Sequence, residues 1–356
     1  MKKVAIVGIQ GVPAKYGGFE TLVENIIGEN CSPDIQYTIF CSAKDYEKRM
    51  NSYKGANINY VPFFHANGAQ STPYDMLSMM KCIGRFDTVV ILGVSGCLFL
   101  PLFRLFYHKR LIVNIDGLEH RRDKWGRFAK WFLRSSEAMA VRCADVVIAD
   151  NKGIQSYVSE TYHKSSELIA YGGDHAMRHV PDAKQTEILE NMKLKRQDYA
   201  VSVCRIEPEN NCHITLEAFA KCGRELVFIG NWNYSQYGKE LKERYGKCCN
   251  IHLLESVYDL DMLFTLRKNA SLYIHGHSAG GTNPSLVEAM FFGRPILAFD
   301  VVYNRATTFN KAYYFKNSME LITLIAHPRL DGHVMRLLAE QHYTWKLIAK
   351  QYEALY

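Results

Sequence analysis

The chain has 356 residues, enough for two domains of ordinary size. Its 48% hydrophobic and 22% charged content is that of a globular protein, which excludes disordered and fibrous classes. The formal charge is +7 and is concentrated. Residues 104–134 hold nine lysines and arginines against three acids, so an anionic partner at one face is expected rather than a nucleic-acid groove along the whole protein.

In chain order, Val4 to Ile9 is a near-continuous apolar run, the pattern of a parallel strand covered on both faces. MKKVAIVGIQG is too short in its apolar part for a signal peptide and reads as that first strand. A glycine-rich loop follows, then a helix over 21–27 and a strand over 37–41. Further strands are predicted at 58–61, 88–92, 111–115 and 146–149, with helical patterns around 74–84, 96–107 and 125–143. The longest apolar stretch, 89–103, falls short of a spanning helix and contains Gly93, Gly96 and Pro101, so it reads as a strand followed by a helix. A cytoplasmic, non-integral protein is expected.

The pattern breaks at Tyr171-Gly172-Gly173-Asp174, and a polar stretch runs to about Lys184. A second set of strands then follows at 200–203, 225–229, 251–253, 271–274 and 296–299, with helices between them and helical spacing over 333–356. Alternating strands and helices predict doubly wound parallel sheets, which bind ligands at the carboxyl ends of their strands. The expected architecture is α/β, with two Rossmann-like domains and a cleft between them. The predicted spans are 1–175, 176–335, and a terminal helix over 336–356 that packs back towards the first domain.

Residues 271–298 concentrate the chemistry. A buried strand leads into a small, flexible loop, and Asn283-Pro284 reads as an N-cap followed by proline at the first helical position. Leu286, Val287, Ala289 and Met290 face inward, and Glu288 lies about one and a half turns into the helix. Gly280, Gly281, Thr282 and Asn283 would present backbone N–H groups to an anion, with Glu288 accepting from sugar hydroxyls. An ordinary βαβ turn is the plainer alternative. Arg205 directly follows a strand and emerges at the same sheet edge, placed either to grip a phosphate or to pair with Glu207 or Glu209.

The first glycine loop reads Gly8-Ile9-Gln10-Gly11 rather than G-x-G-x-x-G. The second strand ends in Ser42-Ala43-Lys44 without a ribose-binding acid, which argues against a nicotinamide dehydrogenase. Gly17 and Gly18 remain able to bring backbone donors to a diphosphate. Asp259-Leu260-Asp261 reads as a helix N-cap, and no metal is expected. His275 and His277 alternate at a strand end without a third ligand. The ten cysteines show no zinc spacing and read as free thiols in a reducing compartment.

Taken together, the segments at 16–20, 171–174, 203–210 and 280–298 resemble family 4 glycosyltransferases of the two-domain GT-B fold. IVGIQGVPAKYGGFET, NIDGLEHRRDKWGR and GGTNPSLVEAM resemble bacterial rhamnosyltransferases of capsule and cell-wall polysaccharide assembly. The resemblance implies retaining transfer of rhamnose from dTDP-rhamnose to a lipid-diphosphate-linked sugar, without metal or cofactor, on the inner face of the cytoplasmic membrane. It implies that Glu288 binds the nucleotide ribose. The chain departs from the family pattern at three places. Gly280 stands for the first Glu of E-x7-E, Asn210 for a Lys five residues after the Arg, and Asp116 for a His after the strand at 111–115. Arg205 and the 280–283 backbone would stabilise the departing diphosphate, and Asp116 or Glu119 would orient the acceptor hydroxyl or stabilise charge at the sugar carbon. For Asp116 a turn role before Gly117 is the alternative. Two further alternatives are a UDP- or GDP-sugar donor and an inactive homologue that binds a polysaccharide precursor.

HRRDKWGRFAKWFLR, 120–134, mixes Arg121, Arg122, Lys124, Arg127 and Lys130 with Trp125, Phe128, Trp131 and Phe132. Helical spacing places aromatic residues on one face among cations. That suits either an interfacial contact with an anionic membrane or packing on the protein's own sheet.

Overall fold

The structure, a computed structural model, describes residues 1–15, 17–122, 125–327 and 330–356. Tyr16, the first residue of the 16–20 segment, and Lys124 lie outside the described residues. The chain divides into two compact units, Met1–Tyr171 with Trp345–Tyr356, and Gly172–Thr344.

The first unit is built on eight strands: β1 (Lys2–Val7), β2 (Ile35–Ser42), β3 (Ser52–Tyr53), β4 (Ala56–Val61), β5 (Thr88–Leu92), β6 (Arg110–Asn114), β7 (Val146–Ala149) and β8 (Glu167–Leu168). Their order is β3-β4-β2-β1-β5-β6-β7-β8. All pairings are parallel except β3 with β4, joined by Lys54-Gly55 with both φ positive (46° and 80°) in the handedness that matches strand twist. Val4–Val7 and all of β5 are buried, as central parallel strands require. Helices Gly18–Glu29 and Trp345–Glu353 pack together on this sheet, and Asn114 Nδ2 donates to Tyr352 Oη at 2.8 Å. The chain leaves β1 toward β2 and β4, then returns to β5 on the other side. The direction therefore reverses between β1 and β5.

The second unit holds β9 (Tyr199–Val203), β10 (Glu225–Ile229), β11 (Ile251–Leu254), β12 (Leu272–His275), β13 (Ile296–Phe299) and β14 (Tyr313–Phe315), all parallel in the order β11-β10-β9-β12-β13-β14. Its core runs from Leu216 and Phe219 through Phe228 and Trp232 to Leu297 and Phe315. The reversal falls between β9 and β12.

Two expectations change. The terminal stretch 336–356 is not one helix: His333–His342 belongs to the second unit and Trp345–Glu353 to the first, with Tyr343 and Thr344 between them. The helix expected over 96–107 shrinks to a 3₁₀ turn at Cys97–Phe99 and a short helix, Leu100–Arg104.

Candidate functional site

In a doubly wound sheet the crevice at the reversal of strand order is where loops diverge and ligands bind. In the second unit that crevice is formed by residues 204–211 after β9 and 276–283 after β12. Buried polar side chains join the two loops. Asn210 Nδ2 donates to the Arg205 carbonyl at 2.8 Å, which fixes the amide so that Oδ1 accepts from His277 Nδ1 at 2.7 Å. Asn211 Nδ2 donates to Gly276 O at 2.8 Å, and Ser278 donates both its backbone N–H and its hydroxyl to Glu209 O at 2.8 Å. A side chain at Gly276 would collide with the Asn210 carbonyl, so the close approach needs glycine. Asn304 completes the frame, donating to His277 O and Phe299 O at 2.8 Å each.

Arg205 is exposed at the mouth of this frame, its Nε 3.8 Å from Glu207 Oε2. Asn210 is buried and braces the two loops. Gly280 has φ +88°, a conformation that glycine adopts without strain, and Thr282 is buried. Asn283 Oδ1 accepts the Ser285 N–H at 3.0 Å, and Pro284 opens a helix of only seven residues, Pro284–Met290. The four residues expected to face inward are all buried.

Glu288 sits within an ion-pair network. Arg267 Nη2 lies 2.6 Å from its Oε2, and His175 Nε2 lies 3.2 Å from its Oε1. Burial alone would raise its pKa, but Arg267 and His175 outweigh that and hold it at about 2. The carboxylate is thus ionised and oriented, with one protein donor on each oxygen. A carboxylate offers about four lone-pair positions, so each oxygen can accept a further hydroxyl. The Tyr171–Asp174 linker has a physical role here. A side chain at Gly173 would crowd Val287 and the Glu288 backbone, and this close packing brings His175 to Glu288.

Arg267 and His175 were not anticipated from the sequence. Arg267 lies near the end of helix Leu260–Lys268, and nothing local marks it as a partner of a residue 21 positions away. His275 is buried on Tyr273, and burial, with His277 nearby, keeps its pKa well below the ordinary value. Asp259 Oδ1 accepts from Asp261 N and Met262 N at 2.8 and 3.2 Å, so it caps this helix. Asp261 pairs with Arg178 and Lys184.

In the first unit, Gly17 has φ +127° and Gly18 opens the helix Gly18–Glu29. A side chain at Gly17 would collide with the buried Glu20 carboxylate, which accepts the Gln10 N–H at 2.9 Å. Burial raises the Glu20 pKa, and Asp116 adds to the effect. Asp116 follows β6 at φ +60°, its N–H donating to Asn114 Oδ1 at 3.0 Å, which is turn geometry at the carboxyl edge of the sheet.

Glu119 is engaged on both oxygens, with Arg122 Nη1 2.9 Å from Oε1 and the Trp125 indole N–H donating to Oε2 at 3.2 Å. His120 Nδ1 lies 3.1 Å from the buried Glu137, which also accepts from Tyr157 and Tyr162 at 2.8 and 2.7 Å. Arg121 lies over the Tyr157 ring, 4.9 Å from its centroid. Helix Arg127–Cys143 packs inward through Ser136, Glu137, Ala140 and Val141, whereas Arg127, Phe128 and Trp131 are exposed.

Residues 1–174 match the family described as a domain of unknown function, DUF1972, and residues 184–318 match glycosyl transferases group 1. No curated protein matches the sequence. Among solved structures, the chain is similar to sucrose-phosphate synthase from Thermosynechococcus elongatus (TM-score 0.80, 14% identity, covering 100% of this chain and 98% of that one). It is also similar to Anabaena HepE solved with UDP (TM-score 0.76, 15% identity, 99% of each chain). A glycosyltransferase from Rickettsia africae gives a TM-score of 0.71 at 12% identity, over 99% of this chain and 97% of that one. At these identities the likeness is one of fold. The chain therefore has the two-domain GT-B fold, with a segment that matches DUF1972 followed by one that matches glycosyl transferases group 1.

Proposed function

We propose that this protein is a retaining, metal-independent glycosyltransferase that transfers L-rhamnose from dTDP-rhamnose to a lipid-diphosphate-linked sugar in polysaccharide assembly. The observation that carries the reading is the ionised Glu288, held by Arg267 and His175 beside the paired loops 204–211 and 276–283, inside the segment that matches group 1 glycosyl transferases. Glu288 accepts the ribose 3′-OH. Arg205 and the backbone of Gly280, Gly281, Thr282 and Asn283 bind the diphosphate and stabilise the charge that grows on it as the glycosidic bond breaks. Asp116 orients the acceptor hydroxyl. Glu119 is assigned to holding Arg122 and Trp125 in place. The acceptor's lipid keeps the enzyme on the inner face of an anionic membrane, with the exposed Arg121, Arg127 and Trp131 on the membrane-facing side.

A UDP-sugar donor is the second reading, favoured by the likeness to HepE, which has been solved with UDP and with UDP-glucose. A carboxylate at position 288 discriminates weakly between ribose and deoxyribose, because loss of the 2′-OH still leaves the 3′-OH as a partner. Thermal melting against dTDP, UDP and GDP, followed by turnover of the corresponding sugar donors, separates the readings. The expected result is clear stabilisation by dTDP and preferred turnover of dTDP-rhamnose. Binding and reaction of UDP-sugars with neither for dTDP-rhamnose would move the protein to the second reading.

A further inference from the structure

The segment just after β5 is apolar on both of its faces. Cys97, Leu100 and Phe103 point into the first unit and are fully buried. Leu98, Leu102, Leu105 and Phe106 point the other way and are 44–65% exposed, with Pro101 exposed among them. A helical segment that is apolar all round belongs in a core or in lipid, not at a water interface. The exposed ridge carries no hydrogen-bonding side chain that would suit a polar protein partner.

The ridge lies alongside helix Arg127–Cys143. Leu98 N–H donates to Ser136 Oγ at 2.9 Å, and Arg104 Nε donates to Cys143 O at 2.9 Å. That helix exposes Phe128 and Trp131, 78% and 62% accessible, with their rings 5.9 Å apart. Charge identifies the partner. Residues 97–110 and 127–143 contain seven lysines and arginines and one carboxylate, Glu137, which is buried beneath His120, Tyr157 and Tyr162. Arg104 and Lys109 are matched by Asp145 and Asp87 from outside these segments, while Arg127, Arg134 and Arg142 are exposed. Large apolar side chains bordered by cations are the composition of an element that lies in the headgroup region of an anionic bilayer with its apolar face in the acyl boundary.

We propose that the 98–106 ridge is the bilayer-inserting element of this protein, with Leu102, Leu105 and Phe106 entering the acyl boundary and the exposed arginines of helix Arg127–Cys143 engaging anionic headgroups. The proposal rests on the peripheral membrane contact inferred above and names the part of the chain that enters the lipid.

Co-sedimentation of the full chain with phosphatidylglycerol–phosphatidylcholine vesicles tests it, with light scattering in parallel for oligomeric state. The variants are Leu102→Asp/Phe106→Asp and, separately, Arg127→Gln/Arg134→Gln. All four positions are exposed, so both variants should melt like the wild type. The wild type is expected to bind, and the ridge variant to lose at least about tenfold in partitioning even at low salt. The arginine variant should lose binding in a salt-dependent way. Undiminished binding by the ridge variant, with loss confined to the arginine variant, overturns the proposal while leaving a purely electrostatic contact. No binding by the wild type overturns both. A wild-type dimer that the ridge variant converts to a monomer, without vesicle binding, assigns the ridge to a second copy of the chain instead.

Discussion

Glu288→Gln tests the central feature of the second unit. The wild-type carboxylate is held at about 2, against an ordinary value of 4.5, so its ionised form is favoured in the folded state by about 2.5 pKa units. At 1.36 kcal/mol per unit this corresponds to about 3 kcal/mol at neutral pH. Glutamine keeps the shape but removes the charge, and strands Arg267, only 4% exposed, opposite a neutral amide. Breaking a buried pair from one side costs roughly 3–5 kcal/mol, the same range. For a unit of this size the expected fall in Tm is roughly 6–12 °C. The pKa is depressed on folding, so the stabilisation is fully present above pH 4.5 and is lost as pH falls toward 2. The gap between variant and wild type should therefore close with acidification. Urea unfolding at pH 7 and across the acid range provides the measurement, and Arg267→Met in the Gln background should recover part of the loss. A variant within about 0.5 kcal/mol of wild type at pH 7, or a gap that persists at pH 2, would refute the reasoning. In the folded variant, dTDP affinity should fall by a further ~1 kcal/mol, the contribution of one hydrogen bond.

Arg205→Ala removes an exposed cation from the mouth of the site, a charge-assisted contact of roughly 1.5–3 kcal/mol, so transfer activity should fall at least about tenfold with Tm unchanged; near-normal turnover would remove Arg205 from the site. Asp75 is buried, and burial pushes its pKa up to about 8 despite the Gly96 N–H it accepts. The folded state then holds a proton that the unfolded state releases, so wild-type stability should fall by about 4 kcal/mol between pH 4 and pH 7. Asp75→Asn should flatten that slope in pH-dependent urea unfolding, and an unchanged slope would place the titration elsewhere. Phe63 is exposed at φ +81° in a loop pinned before it by Ala43 N to Val61 O and after it by Ser42 Oγ to Phe64 O. Phe63→Gly should therefore stabilise the first unit by about 1 kcal/mol in the urea midpoint, and destabilisation would mean that the ring is packed rather than strained.

The fold was legible because most central strands are near-continuous apolar runs followed by a turn and a helical period. β5, β7 and β10 could be placed on that ground alone, whereas the run read as Val4–Ile9 starts two residues after β1 begins and ends two residues beyond it. What escaped are elements too short to carry a period: the two-residue strands β3 and β8, and β14 with three residues. The 89–103 stretch shows a different limit. A sequence gives hydrophobicity but not direction, and nothing in CLFLPLFRLF separates the buried Leu100 and Phe103 from the exposed Leu98 and Leu102. That distinction arises only once Ser136 and Cys143 fix which side of the segment faces the helix.

The site was legible where its chemistry is local and opaque where it is assembled. Asn283, Pro284 and Glu288 follow from capping rules and helical spacing within six residues, and the structure places them as those rules require. Asn210 could be read only as a missing positive charge. In the folded chain its amide bridges Arg205 O and His277 Nδ1 across 67 positions, which no spacing rule encodes. The consequence for electrostatics is specific. With position 210 spent on bracing the two loops, Arg205 and the backbone donors of 280–283 are left as the candidates to meet the diphosphate charge. Arg267, the other cation close to the helix, is already neutralised by Glu288. A lysine at 210 would have to give up the His277 and Arg205 hydrogen bonds, so the substitution that restores the family pattern should loosen the loops it is meant to strengthen.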